Sequence, residues 1–142
     1  MRVLVQATAF DPWREVTAYQ QSQPTLAGKF GATTVFVGCL RDFNQGNAVA
    51  GMTLEHYPGM TEKHLERVSV EAGQRWEILD SLVMHLVGPL LPSDPIVLVA
   101  VWSTHRDAAF HACRYIIDEL KTRAPFWKQE RTPDGPRWVA PE

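Results

Sequence analysis

The sequence predicts an α+β fold in a single domain, residues 1–142. The length suits one hydrophobic core, and 45 % apolar with 21 % charged residues is typical of a soluble globular protein. Short, β-branched apolar runs mix with two long amphipathic segments of helical period. These segments do not follow the strict strand–helix–strand order of a parallel α/β sheet, and no internal repeat is present. The pattern favours two long helices packed with a mixed or antiparallel sheet.

The first sixty residues are predicted to contain three strands and one short helix. Asp11 followed by Pro12 is typical of the N-cap and first position of a short helix. The β-branched run Thr33–Leu40 predicts a strand that is mostly buried on both faces. Pro58 ends the next strand, which precedes it, because proline has no N–H to donate. The predicted segments are a strand at 2–8, a helix from Pro12 to about Gln20, a loop at 21–28, and strands at Thr33–Leu40 and Val49–Tyr57 around a turn at 41–47.

The rest of the chain is predicted to contain both long helices. Apolar residues recur at helical spacing in each of them, with charged residues between. Thr132-Pro-Asp-Gly135 is typical of a tight turn, so the strands on either side of it form a C-terminal hairpin. The predicted segments are a helix at Thr61–Trp76 with Leu65, Val68, Val70, Ala72 and Trp76 apolar; strands at Leu82–Val87 and Ile96–Trp102; a helix at Arg106–Lys121 with Ala109, Phe110, Cys113, Ile116, Ile117 and Leu120 on one face; and hairpin strands at Trp127–Arg131 and Arg137–Val139.

Composition argues against several classes of function. The net charge of −2 argues against general nucleic-acid binding. No apolar run approaches the ~20 residues of a membrane span, and the N-terminal segment does not resemble a signal peptide. Cys39 and Cys113 are too few for a disulfide framework, which indicates a reducing cytoplasm. The histidines lie at no metal-ligand spacing with carboxylates or thiols, so no metal site is predicted.

Basic residues concentrate towards the C-terminus. Seven of the 14 Lys and Arg residues lie at or after Arg106, which predicts a local anion site. Lys121 and Lys128 flank a rigid Ala-Pro-Phe-Trp stretch, and Pro125 forces the chain to turn there. Two lysines in the wall of a pocket would hold an anion, or one would be desolvated and made reactive. The alternative is that lysines at a helix C-terminus only offset the helix dipole.

Three further residue types are candidates for a site. His105 and Arg106 lie where a strand runs into a helix N-terminus, which is a natural phosphate position. The alternative is a capping histidine beside an exposed arginine. Arg41 begins the loop after a strand, where an arginine is frequently only solvated. Cys39, within an apolar strand, is typical of an inert small hydrophobe rather than of a reactive thiol.

Five stretches carry a resemblance to a known family. The most specific is Lys121–Glu130, with its Ala-Pro-Phe-Trp-Lys core. The others are Val35–Arg41, Leu54–Met60 (Leu-Glu-His-Tyr-Pro-Gly-Met), Ser103–Phe110 and Arg137–Val139, in that order. From about residue 30 to its end, the chain resembles the large, catalytic subunit of molybdopterin synthase, the MoaE family. The resemblance implies the α/β-hammerhead fold.

The resemblance also implies a reaction, that of a sulfurtransferase. The family inserts sulfur into cyclic pyranopterin monophosphate (precursor Z), which makes the dithiolene of molybdopterin in molybdenum cofactor biosynthesis. The sulfur comes from the C-terminal thiocarboxylate of a small ubiquitin-like subunit of the MoaD type. Because the donor delivers sulfur already activated, no cofactor is expected. The resemblance further implies a dimer of the large subunit and a heterotetramer with two small chains.

Site residues follow from the same resemblance. Lys121 and Lys128 match the family's active-site lysines. Glu130 could pair with Lys128 or Arg41 and tune them, although an exposed ion pair would contribute little. We hypothesise that Trp127 and Trp138 of the hairpin form part of the docking surface for the partner. The residues expected to bind substrate are Arg41, Cys39, Gln129, Glu130 and, from the neighbouring protomer, His105 and Arg106.

The chain departs from the family pattern at three places, and two other functions stay open. Leu86 stands where many members have arginine, and Cys39 where threonine or lysine is common; the sequence ends at Glu142, where longer members continue with a basic tail. One alternative is a binding module that holds a ubiquitin-like partner or a phosphate without turnover. The other is a thiol enzyme that uses Cys39 with a nearby histidine.

Overall fold

The computed structural model describes residues 1–44 and 46–139. Within these ranges the helices are α1 (Pro12–Ser22), α2 (Met60–Arg75) and α3 (Arg106–Arg123), with a 3-10 turn at Pro24–Leu26. The strands are β1 (Arg2–Gln6), β2 (Ala32–Cys39), β3 (Phe43–Asn44), β4 (Asn47–Ala48), β5 (Gly51–His56), β6 (Asp80–Leu86), β7 (Gly88–Leu90), β8 (Pro95–Ser103), β9 (Phe126–Thr132) and β10 (Gly135–Val139). This mixture confirms the predicted α+β class. None of the helices in these ranges is both long and apolar enough to span a bilayer.

The strands of the described chain form two four-stranded sheets and a small hairpin. The first sheet has the order β1-β6-β8-β2; β1 runs parallel to β6, and the other pairs are antiparallel. The second sheet has the order β10-β9-β5-β7 and is antiparallel throughout. Strands β3 and β4 pair only with each other. The predicted C-terminal hairpin, β9–β10, is therefore confirmed, and it is joined to the rest of the fold through β5.

The first sheet carries hydrophobic core on both of its faces. Val83 and Val99 belong to the larger core cluster, which includes the inner faces of α2 and α3. Alternate residues on the same strands face the other way, where Trp102 packs with Tyr19 of α1 and with Leu26. Because side chains alternate across a strand, burial on both faces makes β8 a continuous apolar run. The sheet and α3 thereby form a rigid support for the loops at their ends.

The predicted start of α1 is confirmed in atomic detail. The helix begins at Pro12, and the Asp11 side chain accepts a hydrogen bond from the Trp13 N–H at 3.1 Å. This bond satisfies one of the backbone donors that a helix N-terminus leaves open. At the other end of the helix, Trp102 Nε1 donates to Gln20 Oε1 at 3.0 Å. The helix is therefore fixed to the sheet by a polar contact as well as by packing.

Several details of the sequence prediction were wrong. Strand β2 is only partly buried, because it lies at the edge of the first sheet. Phe110 and Val70 are 61 % and 48 % exposed, so they flank the buried helix faces rather than belong to them. Strand β7 was missed, because three residues that include Pro89 carry no periodic signal. The predicted loop at 21–28 holds the end of α1 and the 3-10 turn.

Candidate active site

Two adjoining hollows meet between the two sheets and the end of α3. They share Ile96, Lys121, Lys128 and Val139, and together we call them the lysine cleft. The outer hollow encloses about 370 Å³. Its walls are completed by Phe36, Gly38, Cys39, Leu40, Arg41, Met52 and Glu130, and those of the inner hollow by Leu54, His85, Val97, Leu120, Ala124 and Phe126. The structure thus brings together five of the residues that the sequence proposed: Lys121, Lys128, Arg41, Cys39 and Glu130.

The end of α3 places both lysines in this cleft. Lys121 lies in the last turn of α3, which ends at Arg123. Ala124 is extended (φ −66°, ψ 140°), as expected for a residue before proline. A hydrogen bond from α2 holds this turn, because the buried hydroxyl of Thr61 donates to the Pro125 carbonyl at 3.2 Å. Strand β9 then returns beside the helix end, which confirms the predicted turn and brings Lys128 back towards Lys121.

Strand alternation on β9 decides which residues line the cleft. Lys128 and Glu130 pair with Leu54 and Met52 of β5 and face inwards with them. The alternate residues of β9 face the other side of the sheet, where Trp127 is 44 % exposed and its ring lies 5.3 Å from that of Tyr57. Gln129 pairs with Thr53 and, by the same alternation, lies on this outer face. Within this chain, Gln129 is therefore separated from the lysine cleft.

Glu130 is the buried carboxylate of the cleft wall. Its residue is 2 % exposed, and it forms an ion pair with Arg137, which lies directly opposite on β10. Sequence reasoning considered Lys128 or Arg41 as its partner and missed Arg137, because only the hairpin register brings the two side chains together. A buried ion pair with good geometry fixes both groups, since losing either partner leaves a charge in a poorly solvated place. The pair therefore locks the hairpin that carries Lys128.

Arg41 and Cys39 reach the cleft through an irregularity in β2. The register between β2 and β8 shifts between Gly38 and Cys39. A Cβ atom at Gly38 would lie only 2.7 Å from Val97 Cγ1, so this close approach favours glycine. A bulge of this kind turns the following residues out of the ladder. Cys39 and Arg41 are both exposed at the rim of the outer hollow, which makes them accessible to a ligand.

His105 and Arg106 lie far from the lysine cleft of their own chain. His105 is the N-cap residue of α3, and both side chains are exposed. A helix rises about 1.5 Å per residue, which places Arg106 about 22 Å from Lys121 along the axis. The structure of one chain does not bring this pair to the cleft.

His85 lines the inner hollow and was not among the predicted site residues. It is 4 % exposed, and its Nδ1 lies 2.9 Å from the Leu86 carbonyl oxygen. Its ring stacks on Phe126, with centroids 4.1 Å apart. Burial and, to a smaller extent, the positive charges of Lys128 and Lys121 lower the pKa of His85 to about 4, against the opposing effect of the backbone hydrogen bond. The ring is therefore a neutral group beside two cations.

Known proteins that are similar to this chain identify its family. A family model described as MoaE protein matches residues 5–123. The chain belongs to the MoaE family. It is 52 % identical over 139 residues to the molybdopterin synthase catalytic subunit of Pseudomonas aeruginosa, covering 98 % of this chain and 90 % of that one.

Solved structures agree with the MoaE assignment. Molybdopterin synthase from Staphylococcus aureus has 31 % identity to this chain and a TM-score of 0.84, covering 96 % of this chain and 95 % of that one. A chain from a complex of subunits 1 and 2 of molybdopterin-converting factor from Helicobacter pylori has 22 % identity and a TM-score of 0.78, covering 96 % and 89 %; this is a likeness of fold. The family and fold class predicted from the sequence are confirmed.

One departure from the MoaE pattern has a structural consequence. Leu86, named above as a departure from the pattern that the resemblance implies, is 4 % exposed and packs in the larger core cluster. This position therefore adds no charge to the cleft. Among the described residues, three cationic side chains line the cleft. They are Lys121 at the end of α3, Lys128 in the hairpin strand β9 and Arg41 in the loop after β2.

Proposed function

We propose that this chain is the catalytic subunit of a molybdopterin synthase and that the lysine cleft is its active site. The enzyme transfers sulfur from the C-terminal thiocarboxylate of a small ubiquitin-like subunit to cyclic pyranopterin monophosphate. The observation that carries the proposal is the meeting of Lys121, Lys128 and Arg41 around one hollow of about 370 Å³. The catalytic unit is one domain, residues 1–142, and it works in the cytoplasm.

The charges of the cleft suit both reactants. A thiocarboxylate and a phosphate are anions, and Lys121 and Lys128 supply positive charge to a partly enclosed space. Arg41 at the rim offers a planar fork of donors, which can grip a phosphate with two hydrogen bonds. Apolar wall residues such as Leu54 and Phe126 exclude water from the inner hollow, which strengthens these interactions.

The reaction requires no external oxidant or reductant. For each sulfur, a carbon–sulfur bond forms at a carbon of the pterin side chain while a carbon–oxygen bond at that carbon breaks, and the oxygen leaves as water or stays on the phosphate. Water then cleaves the acyl–sulfur bond, so the partner leaves as a carboxylate and the sulfur stays on the pterin as a thiolate. The lysines stabilise the anionic sulfur and the oxygen on which charge develops. Lys128 or Lys121 also supplies or removes a proton as each intermediate forms and breaks. Two partner chains visit the same cleft in turn, because the dithiolene carries two sulfur atoms.

Two further surfaces complete the proposed assembly. The outer face of the second sheet presents Trp127 and Trp138, which are 44 % and 60 % exposed and lie on the same side because Trp138 pairs with Gln129. Exposed tryptophans are common anchors of protein interfaces, so this face docks the small subunit. His105 and Arg106 enter the cleft of a second copy of the chain, which makes the enzyme a dimer of large subunits within a heterotetramer.

The test is a reconstitution with purified components. The chain, a small subunit with a C-terminal thiocarboxylate and cyclic pyranopterin monophosphate are mixed, and dithiolene product is followed over time. The wild type should make product, and Lys128→Ala and Lys121→Ala should lose at least about 100-fold in rate with partner affinity retained. Lys63→Ala is the matched control, because Lys63 is exposed on α2 and lies outside the cleft.

Each result of this test has a distinct meaning. Tight partner binding without product from the wild type would replace the proposal with a binding module. Product formation that survives both lysine substitutions and stops in Cys39→Ser would replace it with a thiol enzyme. Equal losses in Lys63→Ala and Lys128→Ala would mean that lysine substitutions act on solubility or folding rather than on the cleft.

A further inference from the structure

His85 is the ionisable side chain of the inner hollow to which the proposed chemistry assigns no task. It lies on β6, between Met84 and Leu86, in a strand whose other residues from Ser81 onwards are buried. A purely structural role at such a position is normally filled by an apolar side chain, because burying an imidazole costs free energy. The residue is nevertheless placed in the wall that also contains Lys121 and Lys128.

The hydrogen bond of His85 determines its tautomer. The Leu86 carbonyl oxygen can only accept a hydrogen bond, and it lies 2.9 Å from Nδ1. Nδ1 therefore carries the proton of the neutral ring, and Nε2 is left as an acceptor with a lone pair. Stacking on Phe126, at 4.1 Å between centroids, fixes the plane of the ring. The fold thus presents an oriented acceptor nitrogen in the inner hollow.

The surroundings of the ring keep it neutral. The charged and titratable groups that act on it come from three elements: Lys128 on β9, Lys121 on α3 and His56 on β5. All three oppose a positive charge on His85, and burial opposes it more strongly still. At neutral pH the ring therefore serves as a hydrogen-bond acceptor and does not act as an acid.

We propose that His85 is a positioning residue of the sulfur-transfer reaction, whose Nε2 accepts a hydrogen bond from the Lys128 ammonium and orients it towards the reacting anions. The inference rests on the proposed function for its catalytic meaning. Lys128 lies two residues after Phe126, on the same face of β9, so its stem starts beside the ring stacked on His85. A lysine ammonium has three donors on a flexible stem, and one fixed acceptor restricts the directions of the other two. The same bond favours the protonated form of the lysine.

The first arm of the test needs no catalysis. In the full-length chain with ¹⁵N-labelled histidine at pH 7, nuclear magnetic resonance should show His85 as the Nδ1–H tautomer. Lys128→Met should move the Nε2 resonance towards the position of a nitrogen without a donor, and Lys63→Met should leave it in place. The Nδ1 resonance should stay constant in both variants, because its bond to Leu86 is unaffected. An Nε2 resonance at the same position in the wild type and in Lys128→Met would overturn the proposal, whatever the activity of the enzyme.

The second arm measures the consequence for the reaction in the reconstituted complex. His85→Phe keeps the stack on Phe126 and removes the acceptor, whereas His85→Gln retains an acceptor oxygen. His85→Phe should lower kcat about 10-fold or more, with the substrate KM within about twofold, because a hydrogen bond to a charged group is lost. The alkaline limb of the pH–rate profile of His85→Phe should move to lower pH, because the Lys128 ammonium loses the hydrogen bond that favours its protonated form. His85→Gln should recover most of kcat and the original limb.

Two results of the second arm would overturn the proposal. One is a folded His85→Phe enzyme with wild-type kcat and pH profile. The other is an equal loss in His85→Phe and His85→Gln without any shift of the alkaline limb, which is the behaviour of a packing residue. An inactive wild type would refute the proposed function, and the resonance measurement would still decide the contact between His85 and Lys128.

Discussion

Acid should destabilise this fold through His85. The pKa of the buried ring is lowered from 6.5 to about 4, so the unfolded chain binds this proton more readily than the folded chain does. The contribution of the neutral ring is complete above pH 6.5 and is lost as the pH falls towards 4. A difference of about 2.5 units, at about 1.36 kcal/mol per unit, gives a total of about 3 kcal/mol. About 2 kcal/mol of this is already lost at about pH 5.

Urea unfolding at about pH 7.5 and 5 measures this loss. The wild type and His85→Phe are compared at equal protein concentration, since association would also change the apparent stability. The wild type should lose about 2 kcal/mol more than His85→Phe between the two pH values. His64, whose pKa is lowered mainly by burial, contributes in the same direction but equally in both proteins.

Each protein is compared with itself at the two pH values, so a constant effect of the substitution on the free energy of unfolding cancels. Equal losses in the two proteins would show that His85 titrates normally in the fold and is not buried as described. His85→Gln should behave like His85→Phe, because neither side chain takes up a proton in this range. A difference between these two variants would point to repacking around residue 85 as the source of the effect.

Four other perturbations test separate parts of the structure. Glu130→Gln should lower the free energy of unfolding by about 3 kcal/mol in urea titrations, because it leaves the buried end of Arg137 without its ion pair; a loss below about 1 kcal/mol would contradict this. Cys39→Ser should keep sulfur transfer within about twofold of wild type, and a folded but inactive variant would point to thiol chemistry instead. Trp138→Ala should weaken binding of the small subunit about tenfold by calorimetry, and unchanged affinity would remove the outer face as the docking site. At pH 8, iodoacetamide should label the exposed Cys39 and spare Cys113, whose pKa burial raises to about 11; native labelling of Cys113 would refute its burial.

Most of the fold could be predicted from the sequence, because its local signals for the starts and ends of elements are strong. Asp11 and Pro12 mark the start of α1 through capping chemistry that depends only on neighbouring residues. Pro125 marks the end of α3 in the same way. The errors concern exposure: Phe110 lies at helical spacing but outside the packed face, and β2 is apolar although its sheet position leaves it half-exposed. Exposure depends on which elements pack together, and that information is not local.

The lysines of the cleft were predictable from the sequence, whereas their surroundings were not. Lys121 and Lys128 stand in a distinctive run, and the turn between them follows from one proline. His85 gave no such signal, because a histidine in an apolar strand has the same appearance whether or not it lines a cleft. The partner of Glu130 follows from the β9–β10 register, which pairs it with Arg137. Both contacts are tertiary, so periodicity and spacing cannot reveal them.

The most direct test of sulfur transfer in the lysine cleft is the mass of the small subunit during one round of reaction. The thiocarboxylated partner is mixed with the chain, with or without cyclic pyranopterin monophosphate, and its C-terminus is followed by mass spectrometry. We expect conversion of thiocarboxylate to carboxylate only when the substrate is present, with two partner chains converted for each dithiolene formed. Lys128→Ala should stop both processes together. Conversion without substrate, or conversion at the wild-type rate in Lys128→Ala, would contradict transfer through this cleft.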